Sequence, residues 1–550
     1  MKTRNTLIGL LLCLNLQAQT PVVTESKPDF PDNKQNMLAM VSREDEQEAP
    51  TSALRNVWET ATTNTNSNEF AQSTAQASPE SLYGAFVQAG LFATTDGTVP
   101  FWMRSRRFGS VPADGISASL LVGAQKEYNT RSNQLVDWGA GVEARFNGAS
   151  NSELILIQAY AKARLGIFQL KAGRFCETVG LVDSTLSTGA YAVSGNALGI
   201  PQIQIGIPDY WEVPLTNKVF SVKGTISHGW AGSFNLNKNE DNNILNYSVD
   251  SYLHELTFYG RLGKPDWKIK LYGGLNHQVI WGHEKQIYSS WGLSNAETFK
   301  YVILGKPYGT HDIPSSKVGN HLGSIDQLME WDMNSVLFTG YHQFFYEVGG
   351  LIKLANVKDG LWGLSLQNKQ SGTTGWQWQK FLFEFLYSKS QGGEMDSKPR
   401  ASGSEDYYNN FLYYDGWSYQ GEAIGNPLFT TTTYAREGLP SNENQYFINN
   451  RLMAFHGGAD FSINDWQCRT LLTYSVNWGT YLTSPGTRLI GDVVVTFDPP
   501  YFPQVNQFSA LFETHKPLRN GFELGLQLAF DQGDLLYNSV GGGITLTKRW

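Results

Sequence analysis

The sequence predicts an all-β fold, a transmembrane antiparallel β-barrel of about 18 strands (a range of about 16–20) with long extracellular or plug loops. Three observations carry this expectation. From Leu82 onward, apolar and polar residues alternate with period 2 in segment after segment, the mark of strands with one greasy and one polar face. Aromatic residues make up 13% of the chain, Gly reaches 55 and charged residues stop at 17%, a mixture suited to short strands, Gly-containing turns and aromatic girdles at the lipid headgroups. Beyond residue 20 no stretch approaches 18 uninterrupted apolar residues, so a bilayer crossing falls to strands and not to helices.

The alternation is clearest over residues 521–531, where Phe522, Leu524, Leu526, Leu528 and Phe530 oppose Glu523, Gln527 and Asp531. The same rule sets Trp138, Val142 and Phe146 against Asp137, Glu143 and Arg145, and Phe220, Val222 and Ile226 against Ser221, Lys223 and Thr225. Trp267, Ile269, Leu271 and Leu275 oppose Lys268, Lys270, Tyr272 and Asn276, and Cys468, Leu472, Tyr474 and Val476 oppose Arg469, Thr473 and Ser475. Soluble β-sandwiches alternate too. The final segment separates the two: Ile544, Leu546 and Trp550 alternate with Thr545, Thr547 and Arg549, an aromatic last strand of the kind that outer-membrane barrels present for insertion. Lys548 interrupts the lipid-facing row where a Lys can snorkel to the interface. Allowing about 25 residues per strand with its loop gives the expected strand number. Alternation lapses over residues 183–215, 281–335 and 391–445, which are expected to be functional loops, plugs or lids.

The domain plan is a signal peptide at 1–19, an acidic tether at 20–81 and the barrel at 82–550. Lys2 and Arg4 precede an apolar run from Leu7 to Leu16, followed by Ala18, as in a Sec signal peptide. Cys13 sits in that run, but Leu12 stands where a lipoprotein cut needs a small residue. Residues 21–80 carry ten acids against four bases, a net of −6, with few large apolar residues. Such a stretch cannot offset its ordering entropy, so it reads as a disordered periplasmic tether, with a periplasmic protein as its candidate partner. Cys176 and Cys468 then remain, enough for one bridge but no disulfide framework.

A formal net charge of −8 offers no nucleic-acid surface. No phosphate-cradling G-x-x-x-x-G-K-[ST] and no G-x-S-x-G occur. His254-Glu255 and His283-Glu284 begin like a zinc helix, but Phe258 and Ile287 stand where the second His belongs. No metal, no cofactor and no enzymatic activity are expected. Glu143, Arg145, Lys162, Arg164, Lys171, Lys223, Lys268 and Lys270 fall on inward rows, where charges wet a lumen and pair across strands, or line a conduction path. The segment 405–420 packs aromatic residues among carboxylates and amides. Flat rings cover the apolar face of a sugar while polar groups take its hydroxyls, so Tyr407, Tyr408, Tyr413, Tyr414 and Trp417, with Asp406, Asn409 and Asp415, form the candidate glycan site. The same rings would serve equally to pack the loop against the barrel mouth.

Residues 173–215 read GRFCETVGLVDSTLSTGAYAVSGNALGIPQIQIGIPDYWEVPL. Further along come Ser227-His228-Gly229-Trp230, Asn276-His277, Trp281-Gly282, Gly319-Asn320-His321-Leu322-Gly323, Asp359-Gly360-Leu361-Trp362-Gly363 and Phe383-Glu384-Phe385-Leu386-Tyr387. Gly416-Trp417, Gly425-Asn426-Pro427 and Asn449-Asn450-Arg451 continue the series. This ordered set resembles the Wzi-type capsule assembly family of outer-membrane proteins, over residues 82–550. The resemblance implies a non-enzymatic, lectin-like barrel that binds surface or capsular polysaccharide at its outer end. Its implied partners are that polysaccharide, outer-membrane lipid and the insertion machinery. It adds Asn196, His228, His277, His283 and Asn320 as candidate ligand-binding residues, although His277 follows the lipid-facing row of its strand. The helical bundle that precedes the barrel in the family is replaced here by the acidic tether. A channel for saccharide uptake is the competing function.

Overall fold

The computed structural model describes residues 82–550 apart from 96, 114, 130–133, 150–151, 238–246, 289, 310–315, 348–355, 371–374, 392–404 and 491–492. The signal peptide and the tether lie outside the described residues. The wall begins with β1 (Tyr83–Thr94), β2 (Ser117–Lys126), β3 (Val136–Gly148), β4 (Glu153–Leu165), β5 (Phe168–Arg174) and β6 (Gln202–Glu212). It continues through β7 (Phe220–Asn235), β8 (Ser248–Leu262), β9 (Ile269–Trp281), β10 (Asn320–Asp332), β11 (Val336–Tyr346) and β12 (Gly360–Asn368). The last third is β13 (Trp376–Tyr387), β14 (Leu452–Ile463), β15 (Trp466–Asn477), β16 (Val505–Pro517), β17 (Phe522–Gly533) and β18 (Ser539–Arg549).

Every strand pairs antiparallel with its neighbour in sequence, and β18 returns to β1 in a register running from Phe86↔Arg549 to Thr94↔Gly541. The seam ends where Trp550 donates its amide to the Ala85 carbonyl at 3.0 Å. The result is a closed transmembrane barrel of 18 strands, with no edge left for another chain to pair with. The outward rows are apolar as the alternation predicts: Leu526, Leu528, Ile544 and Leu546 are exposed on the wall while Glu513, Ala529, Asp531 and Thr547 are buried behind it. Tyr83, Trp138, Phe168, Trp267, Trp331, Trp376 and Trp550 lie exposed at the end with the short turns, forming one aromatic girdle. Lys548 reaches back from the outer wall to the Asn520 carbonyl in that girdle.

Two strands were not foreseen. β6 and β10 lie inside the segments where alternation lapses. In β10 the inward row mixes Leu322 and Leu328 with Ser324 and Asp326, and the outward row mixes Ile325 and Trp331 with His321 and Gln327, so the period-2 contrast is lost.

That packed protein is a plug. The described parts of loops 95–116, 175–201 and 388–451 fold into the barrel from the end opposite the short turns, and Leu186, Tyr191, Tyr407, Tyr408, Trp417, Phe429 and Phe447 form a core with the wall residue Phe345. Tyr191 stacks on Phe345 with ring centroids 4.1 Å apart, and Tyr408 lies 4.3 Å from Phe429. Wall side chains receive the plug's backbone. Glu384 accepts from Ser187 Oγ and the Thr188 amide, both at 2.6 Å. Asp326 accepts from the Leu181 amide at 2.8 Å, and Asp531 from the Phe101 amide at 2.7 Å. Arg106 ties two plug loops together by donating to the carbonyls of Ser184, Ser187 and Ser194. Loops can run inside a protein only if their polar backbone groups find such partners.

Among the inward charges named above, Lys162 pairs with Glu127 at 2.5 Å, Arg164 with Asp137 at 3.7 Å and Lys270 with Glu330 at 3.9 Å. Lys171 and Lys223 instead lie over aromatic rings, 3.8 Å from Phe175 and 5.0 Å from Tyr210. Cys176 and Cys468 are free thiols, so the one bridge that sequence allows is not formed.

The outward row yields a test. Leu528, 57% exposed near the middle of β17, faces lipid, and Leu528→Arg should destabilise the barrel by about 2–4 kcal/mol in vesicles. Urea unfolding of the parent and the variant in the same lipid measures it. A near-neutral result would mean that this wall faces water.

Candidate functional site

A cleft of about 650 Å³ opens at the plug end of the barrel, between the top of β7 and the 414–421 segment, with Tyr446 at its side. Its size lies within the range of small-ligand sites. The chain builds it from rigid pieces. Ser418–Tyr419 and Glu422–Ala423 form a short hairpin whose two turn residues, Gln420 and Gly421, have φ of +50° and +86°, the left-handed pair that a tight two-residue turn requires and Gly supplies without strain. The hairpin is moored to β7: the Tyr414 amide donates to the Asn235 carbonyl at 2.9 Å, and Asp415 accepts from the Asn235 amide at 2.8 Å and its Nδ2 at 3.0 Å. Tyr414 and Tyr446 meet edge to face at 6.0 Å, and the Tyr446 hydroxyl donates to the Gly421 carbonyl at 2.8 Å.

Half-buried Tyr414, Asp415 and Tyr446, with exposed Gln420 and Trp230, therefore face the cleft, and no Lys or Arg lines it. An adjoining recess holds Arg104, Asn196, Glu422 and Tyr434. The Arg104 guanidinium lies 3.4 Å from the Tyr434 ring centre. Glu422 accepts from the Tyr434 hydroxyl and from Asn196 Nδ2, while burial raises its carboxyl above the usual range. Rings, a carboxylate and amides thus share one rim surface, chemistry suited to a polyhydroxylated ligand.

The structure divides the residues singled out from sequence. Tyr407, Tyr408, Tyr413 and Trp417 are fully buried and show no face to the outside. Tyr407 donates to Asp359 at 2.8 Å, Tyr408 donates to the Tyr191 carbonyl, and Trp417 Nε1 donates to the Ala192 carbonyl at 2.8 Å. Asn409 is also buried and clamps Phe447 from both sides, accepting its amide and donating to its carbonyl at 3.0 Å each. Asp406 takes Gln445 and Asn450, and Asn320 takes Asn410 Nδ2 at 3.1 Å. Of the segment's candidates, Tyr414 and Asp415 reach the cleft, and Asn196 reaches the recess beside it.

The histidines lie elsewhere. His228, His254, His277, His321 and His342, five of the nine in the chain, project from the outer wall of β7–β11. His277 bonds to Tyr346 at 3.0 Å and to His321 at 3.2 Å and keeps to the outward row of its strand. A helix at Asn295–Leu304, opened by a Ser294–Glu297 capping box, lays Phe299 against His228, His254 and Trp281. His283 contacts the Asp250 carbonyl at 2.7 Å.

Trp230, Asn235, Gln420, Tyr434 and Tyr446 were missed as site residues. Trp230 and Asn235 end an ordinary strand, and Tyr446 lies in a stretch without periodicity, so only the folded arrangement joins them.

No family model matches the sequence, and no curated relative matches it. Among solved structures, the chain is similar to Wzi of Escherichia coli, described as an outer membrane protein involved in group 1 capsule assembly and as a carbohydrate-binding β-barrel. That likeness has 14% identity over 84% of this chain and 83% of that one, with a TM-score of 0.49. OccK5 (OpdH) of Pseudomonas aeruginosa gives 9% identity, coverage of 85% and 97%, and a TM-score of 0.41. OprD of the same organism gives 8%, 88% and 98%, and 0.41.

The loop beneath the cleft contains a pH-sensitive contact. Burial pushes the Asp359 carboxyl up to about 7, against the hydrogen bonds that it accepts from Tyr407, Ser390 and Gln391. A folded-state value above the unfolded one means that the folded loop holds the extra proton, so its stability is greatest in acid and falls as pH rises through about 7. Limited proteolysis of the 388–451 loop should accelerate between pH 5 and 8 in the parent and lose that dependence in Asp359→Asn. Equal dependence in both would refute the assignment.

Proposed function

We propose that this chain is an outer-membrane lectin that binds a surface polysaccharide at its outer rim and helps to hold or assemble a capsule, with no catalytic step. The observation that carries this reading is the filled lumen together with an open rim cleft. A barrel of this strand number encloses an aqueous channel unless something occupies it, and here the occupant is a hydrogen-bonded plug with an aromatic core. Ordered protein in the lumen speaks against the open route that a saccharide-uptake channel needs, and the rings and polar groups that suit a sugar lie on the outside. Tyr414 and Tyr446 supply the stacking faces, and Asp415, Gln420 and Asn235 supply acceptors and donors for hydroxyls. The same reading puts the protein in the outer membrane with its cleft toward the cell surface.

Tyr414→Ala and Tyr446→Ala should each weaken binding to purified capsular or related polysaccharide by about 1–3 kcal/mol, roughly five- to over a hundredfold in affinity. Barrel folding is checked on the same samples by gel mobility before and after boiling. Planar-bilayer recording of the parent should show no large open steps. Unchanged binding in both variants would remove the cleft from the proposal, and large steady conductance would favour the channel.

A further inference from the structure

A second cavity, of about 120 Å³, lies under the plug between the 95–116 loop and the walls of β1–β4 and β16–β18. It has room for roughly eight waters or one small oxyanion with part of its hydration. Two guanidinium groups line it, Arg107 from the plug and Arg145 from β3. Arg107 donates one N–H to Glu513 at 2.7 Å, a carboxylate that also has Arg469 3.8 Å away. Glu143 accepts from Gln158 at 3.0 Å. Arg145, by contrast, makes no hydrogen bond or ion pair among the described residues, and its Nε is buried without an acceptor.

This arrangement is unfavourable as it stands. A guanidinium keeps its charge at any physiological pH and presents five donors, so leaving one unpaired inside a protein incurs a desolvation cost, and a second guanidinium facing the same space adds repulsion. Two carboxylates share the lining, Glu143 and Glu513, and Glu143 partly offsets the charge of Arg145. Glu513 is bonded to Arg107 and Glu143 to Gln158, so no hydrogen bond from the Arg145 fork reaches either. What would satisfy the site is a pair of negatively charged oxygens, which the planar fork of Arg receives through two parallel hydrogen bonds.

We propose that this cavity binds a small oxyanion, a carboxylate or a phosphate, held between the fork of Arg145 and the remaining N–H groups of Arg107. The bound anion joins wall to plug, because one arginine belongs to each, and it makes plug stability depend on anion concentration. This site is separate from the rim cleft and stands without the glycan reading.

The test uses the full chain in detergent micelles at neutral pH and constant ionic strength, titrated separately with inorganic phosphate, acetate and glucuronate by calorimetry, with thermal unfolding followed alongside. At least one anion should bind saturably with one-to-one stoichiometry and raise the unfolding midpoint, as any ligand selective for the folded state does. Phosphate alone would point to inorganic phosphate or a phosphorylated molecule as the natural source, and the two carboxylates to an acidic sugar or another organic acid. Arg145→Met should abolish binding yet unfold no earlier than the parent without anion, since it removes an unpaired charge. Arg145→Lys, which keeps the charge and loses the fork, should weaken binding about tenfold or more. Absence of saturable binding for all three anions, or undiminished binding in Arg145→Met, overturns the proposal.

Discussion

A backbone amide inside a bilayer has no water to bond to, and the ladder that runs from β1 through β18 and back to β1 meets that requirement for every strand at once. The rest of the structure depends on this closure. Once eighteen strands close, the inner face becomes a wide space whose side chains are fixed by the same alternation that makes the outer face apolar. Those inner positions need partners. Three long loops supply them, and in return Glu384, Asp326 and Asp531 accept backbone amides that would otherwise be orphaned in the interior. The plug therefore differs from a flexible lid: it is a second core, enclosed by the first element of architecture and bonded to it at many points.

How much of this was legible in the sequence depends on what each residue faces. Where the outer side meets lipid and the inner side meets polar groups, as over residues 521–531, period 2 is plain and the faces are assigned correctly. Where the inner side meets the plug, as in β10, it holds Leu322 beside Asp326 while the outer side holds Ile325 beside Gln327, and the strand is invisible to the same rule. The aromatic loop shows a different limit. Composition alone gives Trp417 and Tyr414 the same standing, since both are amphipathic rings among amides and carboxylates. They part company only through distant contacts: Trp417 bonds to Ala192, 225 residues away, while Tyr414 is held at the rim by Asn235. No local pattern encodes which ring will find a carbonyl and which will be left facing outward.

The rim cleft gains its definition from this anchoring. Its floor and sides are a tight hairpin, a strand end and a tyrosine whose hydroxyl is already committed to a backbone carbonyl. A surface so moored loses little conformational freedom when it is covered, which favours recognition of a flexible chain by preorganised rings. The recess beside it, where Arg104 lies on Tyr434 and Glu422 is half-buried, extends the same polar and aromatic surface along the top of the plug. The outer wall of β7–β11 is a distinct region, where histidines and tryptophans pack with one another and under the helix at 295–304.

The bonds between plug and wall also impose an order of events. Phe101 reaches Asp531 across 430 residues, and Trp102 reaches Thr473 across 371, so the first loop of the barrel cannot be seated until nearly the last strand exists. Contacts of such separation are slow to form, and here their acceptors are absent until the wall is complete. Seating the 95–116 loop against the wall therefore waits for β15 and β17, which carry Thr473 and Asp531.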